Sequence, residues 1–150
     1  MTRFTTAFGA LFAITLSTSA AFAGSPLTLT VTPLSAQSGE LRVALYNDAA
    51  TWLGDAHLDA IAVRIDGTTT VTFPDIEPGT YAVAIFLDQN GNAELDLDTS
   101  LNLVPTEPYG FSNDSAGAFG PASWAAASFA HDGPSAHSIS LGHWPAIAAR

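Results

Sequence analysis

Short runs in which apolar and polar residues alternate are the feature that most constrains the fold of this chain. In the stretch LTLTVTP (Leu27–Pro33), Leu27, Leu29 and Val31 alternate with threonine. Side chains of a strand point alternately to its two faces, so this pattern predicts strands with one buried face. Turn residues separate the runs, and only Pro121–Ala130 is suited to a short helix. The predicted strands are Leu27–Pro33, Glu40–Asn47, Ile61–Asp66, Thr69–Phe73, Thr80–Asp88 and Ser138–Leu141.

The stretch FPDIEPGTYAVAIF predicts a tight turn between two of these strands. Pro78 presets one backbone dihedral angle and Gly79 accepts a positive one, while Phe73, Ile76 and Tyr81 flank the turn. This pattern is similar to the signature of prealbumin-like and carboxypeptidase-regulatory-like modules, and it implies an architecture without an activity. We therefore expect an all-β fold, a single prealbumin-like or immunoglobulin-like β-sandwich of about seven strands, with one long loop that carries a short helix.

The first residues have the three parts of a secretory signal peptide. Arg3 gives a positive start, Phe4–Leu16 is mostly apolar, and Ala21–Ala23 supplies the small residues that a signal peptidase requires. We expect cleavage after Ala23, a periplasmic or secreted protein, and no membrane insertion once the signal is removed. The chain then divides into a signal peptide (1–23), a β-sandwich domain (24–141) and a C-terminal tail (142–150).

The composition is strongly acidic. Fourteen Asp and Glu residues stand against four Lys and Arg, which gives a formal net charge of −10. Such a surface repels phosphate groups, so nucleic acids and anionic membranes are poor partners and cations are favoured as ligands. The chain has no cysteine, so no disulfide stabilises the fold and burial of apolar residues must do so.

The stretch FLDQNGNAELDLD (86–98) places closely spaced carboxylate and amide oxygens directly after an apolar run. Calcium is bound by about six to eight such oxygens. Counted from Asp88, the spacing resembles a calcium loop of the EF-hand or dockerin kind, although Thr99 stands where a carboxylate is expected and Asp98 would have to replace it. We therefore expect a structural calcium ion. The predicted ligands are Asp88, Asn90, Asn92, Glu94 through its backbone carbonyl, Asp96 and Asp98.

The same stretch has a simpler interpretation as a plain hairpin turn. Asn90 and Gly91 form a pair that is favoured in two-residue hairpins, and AELDLD alternates as a following strand would. A hairpin does not explain the oxygens at Asp88 and Asn92, so calcium is the preferred interpretation.

The stretch PTEPYGFSNDSAGAFGPASW (105–124) combines aromatic and polar side chains in one loop. It predicts an aromatic platform for a glycan or an extended peptide, or else a set of aromatics that fold back as a satellite core. Glu107 and Asp114, in the same loop, offer two further alternatives: they could reach the predicted calcium site, or they could form a general acid/base pair. The predicted binding residues are Tyr109, Phe111, Ser112, Asn113 and Trp124, with Phe119 in the same loop.

Four stretches, LRVALYND, IEPGTYAVAIFLDQNGNAELD, VPTEPYGFSND and GPASWAAASF, carry a family resemblance that covers Glu40 to Leu141. In these stretches the chain resembles the bacterial domain-of-unknown-function family 2141, a set of small secreted proteins. The resemblance implies a secreted β-sandwich with an Asp/Asn loop and no established activity. Two departures are Ala93, where a glycine often follows the second Asn, and an alanine-rich segment after Trp124, where acidic residues are common.

Catalysis has little support in the sequence, and no catalytic residue is assigned. A thiol nucleophile is excluded, and Ser112 has no Gly-x-Ser-x-Gly context. The histidines His57, His131, His137 and His143 lack the spacing of zinc ligands and are expected at the surface. We therefore expect a non-enzymatic, calcium-stabilised binding module for a glycan or an extracellular protein. The alternatives are a carbohydrate-active hydrolase that uses carboxylates of the 105–114 loop, and a purely structural or adhesion module.

Overall fold

The structure is a computed structural model that describes residues 23–101, 103–117 and 120–143. These residues form the predicted all-β sandwich with almost no helix. The strands are β1 (Ser25–Pro33), β2 (Ser38–Tyr46), β3 (Asp59–Asp66), β4 (Thr69–Ile76), β5 (Gly79–Asp88), β6 (Leu97–Asp98), β7 (Val104–Pro105), β8 (Tyr109–Phe111), β9 (Phe129–His131) and β10 (Ser135–Leu141). One α-helix, α1, spans Trp124–Ala127, and two 3-10 turns span Thr99–Leu101 and Ser112–Asp114.

Two sheets make up the sandwich. The three-stranded sheet has the order β10-β1-β4, in which β1 runs parallel to β10 and antiparallel to β4. The five-stranded sheet has the order β3-β2-β5-β8, and β9 pairs with the beginning of β5, in line with β8 along the same edge. The short strands β6 and β7 pair only with each other in the described part of the chain.

The main core lies between the two sheets and is built by the alternation seen in the sequence. Alternate residues of the long strands point inward, and most of these side chains are fully buried, while Ile61 and Val63 on β3 are partly buried. The inward rows contain Leu27, Leu29, Val31, Leu41, Val43, Leu45, Val71, Phe73, Val83, Ile85, Leu87, Ile139 and Leu141.

The chain turns at Gly67 (φ 101°), between two of the predicted strands, and leads there from β3 in the five-stranded sheet to β4 in the three-stranded one. The expectation of a positive φ at Gly79 is wrong. A Cβ at Gly79 would lie 3.0 Å from the ring of Tyr81, whose hydroxyl donates to the carbonyl of Glu77 at 2.8 Å. Glycine is therefore needed there for close packing of the tyrosine ring.

The described strands number ten instead of about seven, because four strands of two or three residues lack enough length for a periodic signal. The expected helix Pro121–Ala130 is wrong in extent. It begins at Trp124, after the cap Ser123, and ends at Ala127, since Phe129–His131 pairs with β5. Residues 1–22 of the predicted signal peptide and 144–150 of the predicted tail lie outside the described residues. No helix among the described residues is long and apolar enough to cross a membrane.

Candidate functional site: an acidic loop and an apolar trough

Asp88, the last residue of β5, organises the acidic loop that follows it. Its carboxylate accepts hydrogen bonds from the backbone N–H of Gly91 (2.6 Å) and Ala93 (2.9 Å), and from Nε of Arg42 (3.1 Å). Gly91 and Ala93 both have positive φ, which turns their N–H groups toward the carboxylate. Burial alone would raise the pKa of Asp88, but these backbone hydrogen bonds and the Arg42 guanidinium hold it below its ordinary value.

The remaining oxygen-bearing side chains of the loop bind one another. The side-chain oxygens of Asn90 and Asn92 accept from the backbone N–H of Asn92 and Glu94, both at 2.9 Å. The two amide NH₂ groups donate to the Asp96 carboxylate, at 2.5 Å from Asn90 and 2.9 Å from Asn92. In this arrangement Asp96 faces amide donors, and both Asn oxygens are already hydrogen-bonded.

Glu107 closes the loop from the other side. Its carboxylate is only 4% exposed and accepts from the backbone N–H of Gln89 (2.8 Å) and Asp96 (3.2 Å). Of the two carboxylates that the sequence suggested could reach the acidic loop, Glu107 does so, as an acceptor for two backbone N–H groups. Asp114 binds Ser140 instead.

The predicted metal ligands thus come together only in part. Asp98 accepts from the backbone N–H and hydroxyl of Ser100, and Glu94 is exposed. Among the described residues, no group of three or more His, Cys, Asp or Glu side chains is placed to hold a metal ion. The stretch AELDLD does not return along β5 as a hairpin strand, because β6 pairs with β7 and the neighbours of β5 are β2, β8 and β9. A plain turn at Asn90 and Gly91, without an ion, stays the alternative to calcium. Calcium binding stays a prediction.

An apolar trough with a volume of about 1490 Å³ lies along the outer face of the five-stranded sheet. The strand register explains its floor. Ala60 on β3 lies opposite Ala44 on β2, which lies opposite Ala84 on β5, which in turn lies opposite Phe111 on β8. A row of three small side chains therefore forms a depression that ends at an aromatic ring. The neighbouring row runs through Ala62, Arg42, Phe86 and Tyr109.

The walls of the trough expose large apolar side chains to solvent. Leu53 (39% exposed) stands at one side, and Leu97 (44%) and Leu103 (60%) stand at the other. They are three of the four large apolar residues that are exposed in the described part of the chain. Leu97 lies just beyond the stretch that Asp88 and Glu107 fasten, so the acidic loop and the trough wall are one structure.

The sequence missed this trough, although a signal for it was present. Alanine occupies two alternate positions in DAIAV and in YAVAI, and one in RVALY, which are parts of β3, β5 and β2. An outward row of small residues on adjacent strands predicts a depression, but only the observed strand order aligns the three rows.

The predicted binding residues of the 105–124 loop occupy two different settings. Tyr109 and Phe111 line the trough, yet both are 6% exposed, and burial raises the pKa of Tyr109. They belong to a second apolar cluster in which Trp52 lies 5.9 Å from the rings of both Phe111 and Trp124. This is the satellite core that the sequence left open as an alternative. Phe119 lies outside the described residues.

Ser112 and Asn113 serve as internal connectors. The Ser112 hydroxyl is fully buried, accepts from the N–H of Val83 (2.9 Å) and donates to the carbonyl of Ala127 (2.6 Å). The Asn113 amide donates to the carbonyls of Ala126 (3.1 Å) and Ser128 (2.9 Å). Both side chains hold the loop to β5 and α1, and a direct role in binding stays a prediction.

The remaining candidates for catalysis are engaged in the fold. Asp114 accepts from the backbone N–H (2.6 Å) and hydroxyl (3.2 Å) of Ser140, whereas Glu107 binds the acidic loop. The expectation that the histidines lie at the surface is wrong for His131, which is 1% exposed. Its ring contacts the hydroxyls of Ser25 (2.9 Å) and Ser135 (2.7 Å), because it joins the beginnings of β1 and β10.

Comparison with known proteins yields one match. Residues 29–139 match the family described as "uncharacterized protein conserved in bacteria (DUF2141)". Neither the search of curated proteins nor that of solved structures found a match.

Proposed function

Because the chain belongs to the uncharacterised bacterial family DUF2141, its function has to be argued from its own surface, and we propose that it is a non-enzymatic binding module. Its ligand would be an apolar segment of a protein partner, held in the trough on the five-stranded sheet. The predicted signal peptide supports a partner that is met in the periplasm or outside the cell.

The observation that carries this proposal is the apolar surface that stays exposed on the outer face, beside the second apolar cluster. The floor residues Ala44, Ala60 and Ala84 are incompletely buried, and three large leucines around them are exposed. Contiguous exposed apolar surface of this kind marks interaction sites in soluble proteins.

Size and charge favour a polypeptide segment over a small molecule. The trough volume of about 1490 Å³ exceeds the roughly 300–1,000 Å³ of typical small-molecule pockets. Asp55 and Glu94 are exposed at its rim, and Arg42 is engaged by Glu40 (2.6 Å) and Asp88. An apolar segment that carries basic residues is therefore complementary to the site.

A displayed library of random 12-residue peptides tests the proposal with the expressed full chain. We expect enrichment of apolar sequences with Lys or Arg, and loss of their binding in Ala62→Trp, which fills the floor beside Arg42. The matched control is Ala136→Trp, an exposed alanine on β10 at the edge of the other sheet, which should bind as the parent does. Failure to enrich any peptide, or equal loss in both variants, would contradict the proposal.

The predicted calcium ion would stabilise the trough wall without taking part in binding. Asn90, Asn92 and Asp96 are the residues that a cation can still recruit, after rotation of the two amides, because Asp88 is held by Arg42 and two backbone N–H groups. A site with a dissociation constant about a hundredfold below the calcium concentration adds roughly 2.7 kcal/mol to stability.

Thermal unfolding in EDTA and in millimolar calcium measures this effect. Asp96→Ala is the informative variant, since Asp88→Ala also removes metal-independent hydrogen bonds. A midpoint that rises with calcium in the parent and not in Asp96→Ala supports the ion. Equal midpoints in the parent would exclude it.

A glycan ligand for the 105–124 loop and a hydrolase that uses Glu107 and Asp114 remain predictions from the sequence. The trough lining is mainly apolar, although Asp55, His57 and Glu94 are part of it, and this character favours an apolar ligand over a sugar. The two carboxylates bind different elements of the fold, so their contacts do not favour an acid/base pair.

A further inference from the structure

The strand β3 is a regular edge of the five-stranded sheet and borders the trough. In the described part of the chain β3 pairs with β2 alone, over eight residues and without a register shift. Such an edge is about 26 Å long and presents a row of backbone N–H and C=O groups on its free side. Its outward residues Ala60 and Ala62 also line the trough.

Hydrogen bonds elsewhere in the sheet identify the N–H groups on that free side. The N–H of Val83 donates to the Ser112 hydroxyl, and the N–H of Leu87 to the carbonyl of Pro108, so both point away from β2. Because these directions alternate along a strand, the N–H and C=O groups of Ala84 point toward its β2 partner Ala44.

The same alternation continues across β2 to β3. Because Ala44 bonds to β5, the opposite residue Ala60 points its N–H away from β2, and that N–H indeed donates to the carboxylate of Asp59 at 2.8 Å. Two-residue periodicity places the N–H groups of Ala62 and Arg64 on the free edge as well. The exposed backbone and the trough floor thus belong to the same residues.

The other sheet edges carry features that oppose strand addition. Pro74 in β4 has no N–H to offer. On β10, the N–H of Ser140 is taken by Asp114 at 2.6 Å. On β8, Tyr109 exchanges backbone hydrogen bonds with Gly142 at 2.8 and 3.1 Å. The central residues of β3, Ala60 to Val63, include no proline, bulge or charged side chain.

We infer that the partner segment adds to β3 as an extended strand and inserts alternate side chains into the trough. This inference rests on the proposed function and names its binding mode. Asp59 stands at the beginning of β3, whereas the exposed Arg64 precedes Asp66 at its end, so the complementary segment has apolar residues at alternate positions and a basic residue toward the Asp59 end.

Amide hydrogen exchange of the full chain, with and without a peptide enriched from the displayed library, tests this binding mode. We expect exchange at Ala62 and Arg64 to slow by about tenfold or more, and exchange at Thr70 and Thr72, on the edge strand of the other sheet, to stay unchanged. N-methylation of the peptide at one set of alternate positions should weaken binding by about tenfold, and methylation at the other set should have little effect.

The outcomes separate this inference from the proposed function. If peptides bind and Ala62→Trp weakens them while exchange at Ala62 and Arg64 is unchanged, strand addition is wrong and trough binding stands. If the library yields no peptide, the proposed function fails and this inference fails with it.

Discussion

The two outer faces of the sandwich are built from the same kind of alternating strand but carry opposite chemistry. On the three-stranded sheet, the outward row pairs Thr28 with Ala136 and Thr72, and the next row pairs Thr30 with Ser138 and Thr70. Hydroxyl groups cover this face, and the hydroxyls of Thr28 and Thr72 lie 3.4 Å apart.

On the five-stranded sheet, one row consists of three alanines that end at Phe111, and the next row runs from Ala62 through Arg42 to the rings of Phe86 and Tyr109. Part of this outer face packs into the second apolar cluster, which includes Ala84, Phe86 and Phe111. Ala44, Ala60 and Ala62 lie outside both core clusters and are not fully buried. The threonine face shows what a solvated exterior looks like in this protein. This difference supports the proposal that the alanine face contacts another molecule.

The largest expected loss of stability comes from a residue of the inner face, compared with one of the trough wall. Leu41→Ala removes a fully buried side chain from the core and should lower the free energy of unfolding by about 2–5 kcal/mol. Leu97→Ala removes a trough residue that is 44% exposed and should cost less than about 1 kcal/mol. Chemical denaturation of both variants gives the two values. Similar losses would mean that the trough wall is part of the stabilising core.

An intermediate effect concerns the tether of the trough wall. Glu107→Gln places an amide NH₂ against one of two backbone N–H groups that the carboxylate now satisfies, and should cost about 1–3 kcal/mol. The matched control is Glu94→Gln at an exposed position, which should stay within about 0.5 kcal/mol of the parent. If denaturation gives equal stabilities for the two variants, Glu107 does not hold the loop.

The smallest effect is a pH dependence on the three-stranded sheet. Burial and the nearby His131 lower the pKa of His137, whose ring stacks on Phe129 at 4.0 Å. His137 therefore binds a proton less readily in the folded state than in the unfolded chain. The stability that the neutral ring contributes is fully present above about pH 6.5 and is lost as the pH falls through the lowered pKa. We expect a loss below about 1 kcal/mol, measured by denaturation between pH 7.5 and 5.

His137→Gln removes the titrating ring and should flatten this part of the profile. His57→Gln, at an exposed position on the other side of the sandwich, is the matched control. A profile that is unchanged in His137→Gln would assign the pH dependence to other groups.

Much of the fold follows from the sequence because β1, β2 and β5 are long enough to show a two-residue period. The strands β8 and β9 have three residues each, and only their pairing with β5 makes them strands. The alanine-rich segment after Pro121 has high helix propensity, but the pairing of β9 with β5 ends the helix at Ala127.

The candidate site was harder to predict. The spaced oxygens of the acidic loop are visible in the sequence. The groups that they contact depend on the fold, because Arg42 lies 46 residues before Asp88 and Glu107 lies 18 residues after Gln89. The trough depends on a strand order that does not follow the chain, so the alternating alanines do not reveal by themselves that they lie side by side.

The most direct test of the central claim is the NMR titration of the alanine methyl groups with a peptide enriched from the displayed library. Binding in the trough should shift the methyl signals of Ala44, Ala60, Ala62 and Ala84 in a saturable manner, and should leave Ala136 on the threonine face unaffected. If the peptide binds while these four signals stay fixed, or if Ala136 shifts with them, the outer face of the five-stranded sheet is not the binding surface.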